Sequence, residues 1–203
     1  MAYAEAVLPN KRSVRLLQLL SGCDQAPLEA RLEVHTLGDS CSYAALSYVW
    51  GTPDQSKALH TATNQLKISE NLYSFLTHLR QPDTTRTIWV DAICINQEDD
   101  GEKSSQVALM GSIYREAETV FCWLGHPTSE RLLALKHLQR LANESTTYIG
   151  PDSVENIEAH VDCIYSNPWF TRLWVVQEVS LARRPKFLCG RHEMSWNDFE
   201  RAA

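Results

Sequence analysis

Glu178 lies in the apolar run Trp169–Ala182. At helical spacing it shares a stripe with Phe170, Trp174, Leu181 and Ala182. A carboxylate among apolar neighbours is costly unless it is paired, hydrogen-bonded or kept for function. Desolvation would raise its pKa and suit it to proton transfer or to stabilising a developing cation. The rival reading pairs it with an arginine such as Arg172, Arg183 or one from another element. Two further candidate edges are Ser47-Tyr48-Val49-Trp50-Gly51, and Asp91 with Asn96 and Gln97. An aromatic ring beside a glycine can receive a flat ligand ring, because glycine lets backbone approach closely. Tyr48 and Trp50 could equally pack against helices, and Asp91 could simply fix a loop or cap a helix.

Familiar catalytic templates fail. The chain has no G-x-S-x-G, no G-x-x-x-x-G-K-[ST], no G-x-G-x-x-G and no H-E-x-x-H. Its seven histidines are scattered. Its six cysteines, Cys23, Cys41, Cys94, Cys122, Cys163 and Cys189, form no C-x-x-C pair, so metal-ligand spacing is absent and no cofactor is expected. Cys94, Cys122 and Cys189 sit in apolar runs, where cysteine acts as a small hydrophobe.

The elements that must position these residues follow from periodicity. Val14–Leu20 and Leu28–Leu37 read as a hairpin or a pair of edge strands. Tyr43–Trp50 reads as a strand buried on both faces, Leu66–Ile68 as a short strand, and Thr87–Ala92 and Thr119–Gly125 as further buried strands. Between them the spacing predicts a helix opened by Ser69 with Leu72, Phe75, Leu76 and Leu79 inward. A second helix is predicted over Glu102–Ala117. Alternation of strand and helix is the signature of a parallel α/β sheet, whose ligands bind beyond the carboxyl ends of the strands. Helices over Ser129–Asn143, Val154–Tyr165 and Trp169–Ala182 follow, then a strand over Lys186–Cys189 and a helix capped by Ser195. The last residues, Ser195–Ala203, read as the opening turns of a helix cut short, which suggests a longer protein.

The chain has 203 residues, 19 Lys+Arg against 25 Asp+Glu, a net charge of −6 and 44% apolar residues, which suits one ordinary globular domain. The mild acidity argues against nucleic acid as the main partner. No apolar run is long enough to span a membrane, and Met1–Asn10 lacks the basic and apolar regions of a signal peptide, so a reduced, cytoplasmic protein is expected.

Three blocks carry a family resemblance. Tyr43–Gly51, Ile88–Gln97 with Glu102, Gln106, Met110, Ile113, Tyr114 and Ala117 after it, and Trp169–Glu178 resemble, in order, the blocks of the fungal heterokaryon incompatibility (HET) domain. The resemblance runs from about Val14 to the end. It implies a fungal intracellular protein whose domain triggers programmed cell death when non-self is sensed, as in fungal innate immunity.

That domain is in turn similar to TIR domains. Ser47-Tyr48 matches their first-strand Ser-Phe/Tyr step, Val90-Asp91 sits at their second-strand acidic step, and Trp174 to Glu178 keeps their Trp-to-Glu spacing. The similarity implies a TIR-like, flavodoxin-like three-layer α/β fold with a mainly parallel central sheet, N-terminal strands over 14–37, a core over 43–125 and 168–190, and a helical insertion over 127–167. It also implies Glu178 as the catalytic residue of an NAD(P) glycohydrolase acting on self-association. Tyr48, Trp50, Gly51, Asp91, Asn96, Gln97 and Trp174 would line the NAD site. Val175 stands where the TIR pattern has cysteine, and the insertion and the loop after Asp91 also depart from it. The alternative is a non-enzymatic signalling module that oligomerises and recruits a sensor or partner protein, with Glu178 in a core ion pair. An enzyme acting on another nucleotide or sugar is the third reading.

Overall fold

The computed structural model describes residues 3, 6–23, 25–51, 56–143 and 162–202. A seven-stranded sheet organises them, built from β1 (Ser13–Leu19), β2 (Ala30–Thr36), β3 (Ala44–Ser47), β6 (Arg86–Trp89), β7 (Thr119–Trp123), β8 (Pro185–Cys189) and β9 (His192–Ser195), in the spatial order β2-β1-β6-β3-β7-β8-β9. The four inner strands β6, β3, β7 and β8 are parallel. In chain order they run second, first, third, fourth, which is the flavodoxin-like arrangement. The β1–β2 pair adds to β6 antiparallel, and β9 closes the other edge antiparallel to β8. A separate hairpin of β4 (Lys57–His60) and β5 (Gln65–Ile68) precedes the first helix.

Helices among the described residues include α1 (Glu70–Leu79), α2 (Asp91–Cys94), α3 (Asp100–Glu116), α4 (Ser129–Asn143), α5 (Val175–Ser180) and α6 (Trp196–Ala202). Helix α1 forms as its sequence dictates. Ser69 caps it by accepting from Leu72 N–H at 3.3 Å, and Leu72, Phe75, Leu76 and Leu79 are buried. Such a cap stabilises a helix by about 1 kcal/mol. Helix α3 is capped by Asp99 and buries Gln106, Met110, Ile113 and Tyr114. Between strands and helices, Phe75 stacks on Trp123 at 4.8 Å, and Trp89 meets Tyr114 edge-on at 5.5 Å. The burial of β3 and β7 is nearly continuous, as expected of parallel strands covered on both faces, and β6 is buried over Ile88-Trp89. No described helix is long and apolar enough to cross a membrane.

Four expectations change. The strand expected over Tyr43–Trp50 pairs only over Ala44–Ser47. Beyond it the ladder with β7 ends, and the side chain of Asn71 takes up the Val49 carbonyl at 2.5 Å. The expected strand Thr87–Ala92 stops at Trp89, because Asp91 opens the single turn α2, its Oδ1 accepting from Ala92 N–H at 2.8 Å. The helix expected over Trp169–Ala182 is two pieces. A 3₁₀ turn over Pro168–Thr171 is capped by Asn167, which also donates Nδ2 to Leu124 O at 2.7 Å. The chain is then extended at Arg172 and becomes helical again only at Val175. Finally, β4 and β9 had no counterpart in the sequence reading. The helix expected over Val154–Tyr165 falls mostly outside the described residues, and residues 162–165 are helical.

Candidate functional site

The parallel strands deliver their carboxyl ends to one edge of the sheet. There the chain leaves β3 at Ser47, leaves β6 at Val90-Asp91, and leaves β7 at Leu124-Gly125. Strand order reverses beside β3, with β6 on one side and β7 on the other, and such a reversal opens the crevice where α/β sheets bind ligands.

Glu178 comes to this edge from α5 and is 1% exposed. The Ser47 hydroxyl donates to its Oε2. Arg172 forks it, with Nη1 on Oε2 at 3.1 Å and Nη2 on Oε1 at 3.0 Å. Two parallel charge-assisted bonds fix the carboxylate plane. Trp169 Nε1 donates to Ser47 Oγ at 2.8 Å. A hydroxyl that accepts from an indole N–H must turn its own proton elsewhere, here onto Glu178. The relay Trp169, Ser47, Glu178 therefore has one direction. The broken helix makes it possible, because only an extended Arg172 can turn back toward a carboxylate six residues on. Helix α5 also lies close on α3: a Cβ at Gly111 would stand 2.9 Å from Gln177 Nε2.

Asp91 is the second carboxyl at the same edge. Its Oδ2 accepts from Trp50 Nε1 at 2.8 Å and its Oδ1 from Ala92 N–H, while Gln97 Nε2 holds its main-chain oxygen at 2.9 Å. Burial raises the carboxyl from 3.8 to about 6. The bonds from Trp50 and Ala92 oppose that rise, Glu178 adds to it, and Arg172 opposes it. Burial likewise pushes the Tyr48 and Tyr114 hydroxyls and the Cys122 thiol well above their ordinary ranges, and the Cys94 thiol up to about 12. None of these thiols is poised as a nucleophile.

The expected site residues separate into four places. Glu178, Asp91 and Tyr48 share one electrostatic neighbourhood, and Trp50 is tied to it through Asp91. Tyr48 is buried, with its ring 6.2 Å from that of Phe75. Trp174 is not on a common buried stripe with Glu178. It is half-exposed at the start of α5, next to Leu173 and Val176, which are also exposed. Gly51, at φ +78°, borders a groove of about 480 Å³ along α1 with Asn71, His78 and His126. Asn96 and Gln97 line a different cleft, of about 970 Å³, beside Arg15, Glu102 and Lys67. The single turn of α2 carries the chain past Asp91 toward that cleft.

Sequence reasoning did not assign Trp169 a role in the site. Its ring belongs to the core, against Phe187 at 5.3 Å, while its N–H serves Ser47. The usable signal was its place in the block that ends in Glu178. No group of three or more His, Cys, Asp or Glu gathers for a metal ion among the described residues.

Comparison with known proteins supplies a family. The model of the family described as "Heterokaryon incompatibility protein (HET)" matches residues 43–178. Heterokaryon incompatibility protein 6, OR allele, of Neurospora crassa is 29% identical over 224 aligned positions, covering 87% of this chain and 33% of that protein. The chain thus spans about a third of the length of this relative. No solved structure matches it.

Proposed function

The chain belongs to the heterokaryon incompatibility (HET) family, and from that premise we propose that it is a fungal cell-death domain that works by splitting the nicotinamide–ribose bond of NAD or NADP when it self-associates. The observation that carries this reading is the placement of Glu178: a buried carboxylate, oriented by Ser47 and Arg172, at the reversal of strand order. Such a carboxylate accepts the ribose hydroxyls and stabilises the oxocarbenium-like charge that develops as neutral nicotinamide departs. Arg172 is 20% exposed on a stretch without regular structure, so its guanidinium can transfer to a dinucleotide phosphate and release Glu178 to the sugar. Trp50 and Trp174, both half-exposed, offer faces for the flat rings.

Incubating assembled protein with NAD and measuring free nicotinamide tests this. Release is expected, with loss of at least 100-fold, about the share of a positioned carboxylate, in Glu178→Gln. Absence of turnover in every oligomeric state, or undiminished turnover in Glu178→Gln, overturns it.

A second reading has an observation of its own. Glu178 finds its partners within the chain, and Leu173, 85% exposed, stands beside exposed Trp174 and Val176 at the start of α5. A non-enzymatic module that assembles through this face would keep Glu178 as a core ion pair. In that case Glu178→Gln kills cells as wild type does, and charged substitutions at Leu173 and Val176 do not.

A further inference from the structure

A glycosidic bond broken by water needs more than a stabilised cation. The attacking water must lose a proton, and Glu178 is badly placed to take it: one oxygen holds the Ser47 proton, and the positions that Arg172 gives up go to the ribose hydroxyls. Among the described residues the same strand edge holds one other carboxyl. Asp91 leaves β6 next to β3, is partly exposed, and spends one hydrogen bond on each oxygen. A carboxylate oxygen has two lone-pair sites, so each can still accept a proton from water.

We propose, resting on the glycohydrolase reading, that Asp91 is the general base of this site and Trp50 its positioning residue. The C1′–N bond breaks and its electron pair leaves with nicotinamide. Water oxygen bonds C1′, the water proton passes to Asp91, and Asp91 returns it to solvent. The sum is dinucleotide plus water giving nicotinamide, ADP-ribose and one proton. The pair of carboxyls then divides the work by environment: Glu178, oriented by Ser47, holds the ribose hydroxyls and faces the cation, and Asp91, partly desolvated and oriented by Trp50, takes the proton.

The groups that face Asp91 set the pH at which it works. Glu178 from α5 pushes its pKa up, Arg172 before α5 pulls it down, and Trp50 after β3 pulls it down by donating a hydrogen bond. Tyr48, Cys94 and Tyr114 of α3 face it also, and burial keeps all three protonated. The base must be ionised, so turnover falls as pH drops through about 6.

The test is the pH profile of nicotinamide release by the assembled protein. Wild type is expected to show an acid limb near pH 6. Asp91→Asn, which keeps an acceptor for Trp50, should lower kcat by about 100-fold or more and abolish the limb. Trp50→Phe removes a bond that favours the charged carboxyl, so the limb should move to higher pH. A merely structural Asp91 would lower the plateau and leave the limb in place. Wild-type turnover with an unmoved limb in both variants overturns the assignment and leaves the glycohydrolase reading standing. Absence of wild-type turnover removes both.

Discussion

Two buried arginine–carboxylate pairs hold two regions of this molecule, and they are built in reverse. In the pair beside the large cleft the arginine is the buried member: the Arg15 side chain is 2% exposed and that of Glu102 is 15% exposed. Arg15 also donates to the main-chain oxygens of Ala6 and Cys94 and lies over the Tyr3 ring at 4.8 Å, while Glu102 also accepts from Asn96 N–H at 2.7 Å. At the strand edge the carboxylate is the buried member, with Glu178 at 1% and Arg172 at 20%. There the partners are side chains, Ser47 and Arg172. Backbone partners cannot move without unfolding something, whereas side chains can exchange one partner for another. The first pair is a clamp that fastens the N-terminal segment to the α2–α3 loop. The second has the freedom a binding site needs.

The sharpest way to break this contrast is to remove one member of each kind. Arg172→Met strands Glu178 in the interior with only a hydroxyl for company. Leaving a buried charge uncompensated costs about 3–5 kcal/mol. Glu178→Gln strands Arg172 instead, which can turn to water, and Gln keeps a partner for Ser47. That change should cost only about 1–2 kcal/mol. Urea unfolding of the two variants gives the comparison directly. Equal losses would mean that Arg172 is as locked as Arg15.

A smaller effect is expected from the clamp. Glu102→Gln leaves Arg15 buried but still on two carbonyls and an aromatic face, so the loss should be about 2–3 kcal/mol. It carries a pH signature. Burial pushes the Glu102 carboxyl up, but the hydrogen bonds from Arg15 and Asn96 N–H outweigh it and hold the group below its usual range. A depressed native pKa stabilises above the unfolded value, and that contribution is lost as pH falls through the native one. The gap between wild type and Glu102→Gln should therefore close below about pH 4. A gap that stays constant into acid would show that Glu102 acts by shape and not by charge.

The sequence revealed these regions unevenly, for physical reasons. Helix α1 was legible because Ser69 and the spacing of Leu72, Phe75, Leu76 and Leu79 act locally. The flavodoxin-like core was legible because strands buried on both faces read as apolar runs. The stretch Trp169–Ala182 was misread for the same reason: an apolar run announces burial, and nothing local shows that Arg172 turns inward and breaks the helix. Glu178 was thus singled out through a stripe that does not exist, yet it is buried, because its partners are tertiary. Asn96 and Gln97 follow Asp91 in sequence but face another cleft, a direction set by the one turn of α2. Strand β4, Lys57-Ala-Leu-His60, carries no β-branched residue and forms by pairing with β5, with a further bridge from His60 to Glu29.

The least of the expected effects bears on the difference between the two regions most directly, through Asp91. Its native pKa, raised by burial from 3.8 to about 6, means that between those values the folded protein binds more protons than the unfolded one. Stability from this group therefore falls as pH rises from about 4 to about 6, the reverse of the Glu102 contribution. Allowing for solvent at a partly exposed carboxyl, the loss at pH 7 is about 1–2 kcal/mol. Asp91→Asn never ionises, so it should match wild type near pH 4 and exceed it by that amount at pH 7, measured by urea unfolding at both values. A flat difference would mean that Asp91 sits comfortably in water and has no special claim on a proton. A variant that is more stable at neutral pH and poorer in turnover would mark Asp91 as a charge that folding tolerates and chemistry requires. Glu102, whose ionisation folding itself favours, would fail that test, and the two carboxyls would then separate structure from function by the sign of a single slope.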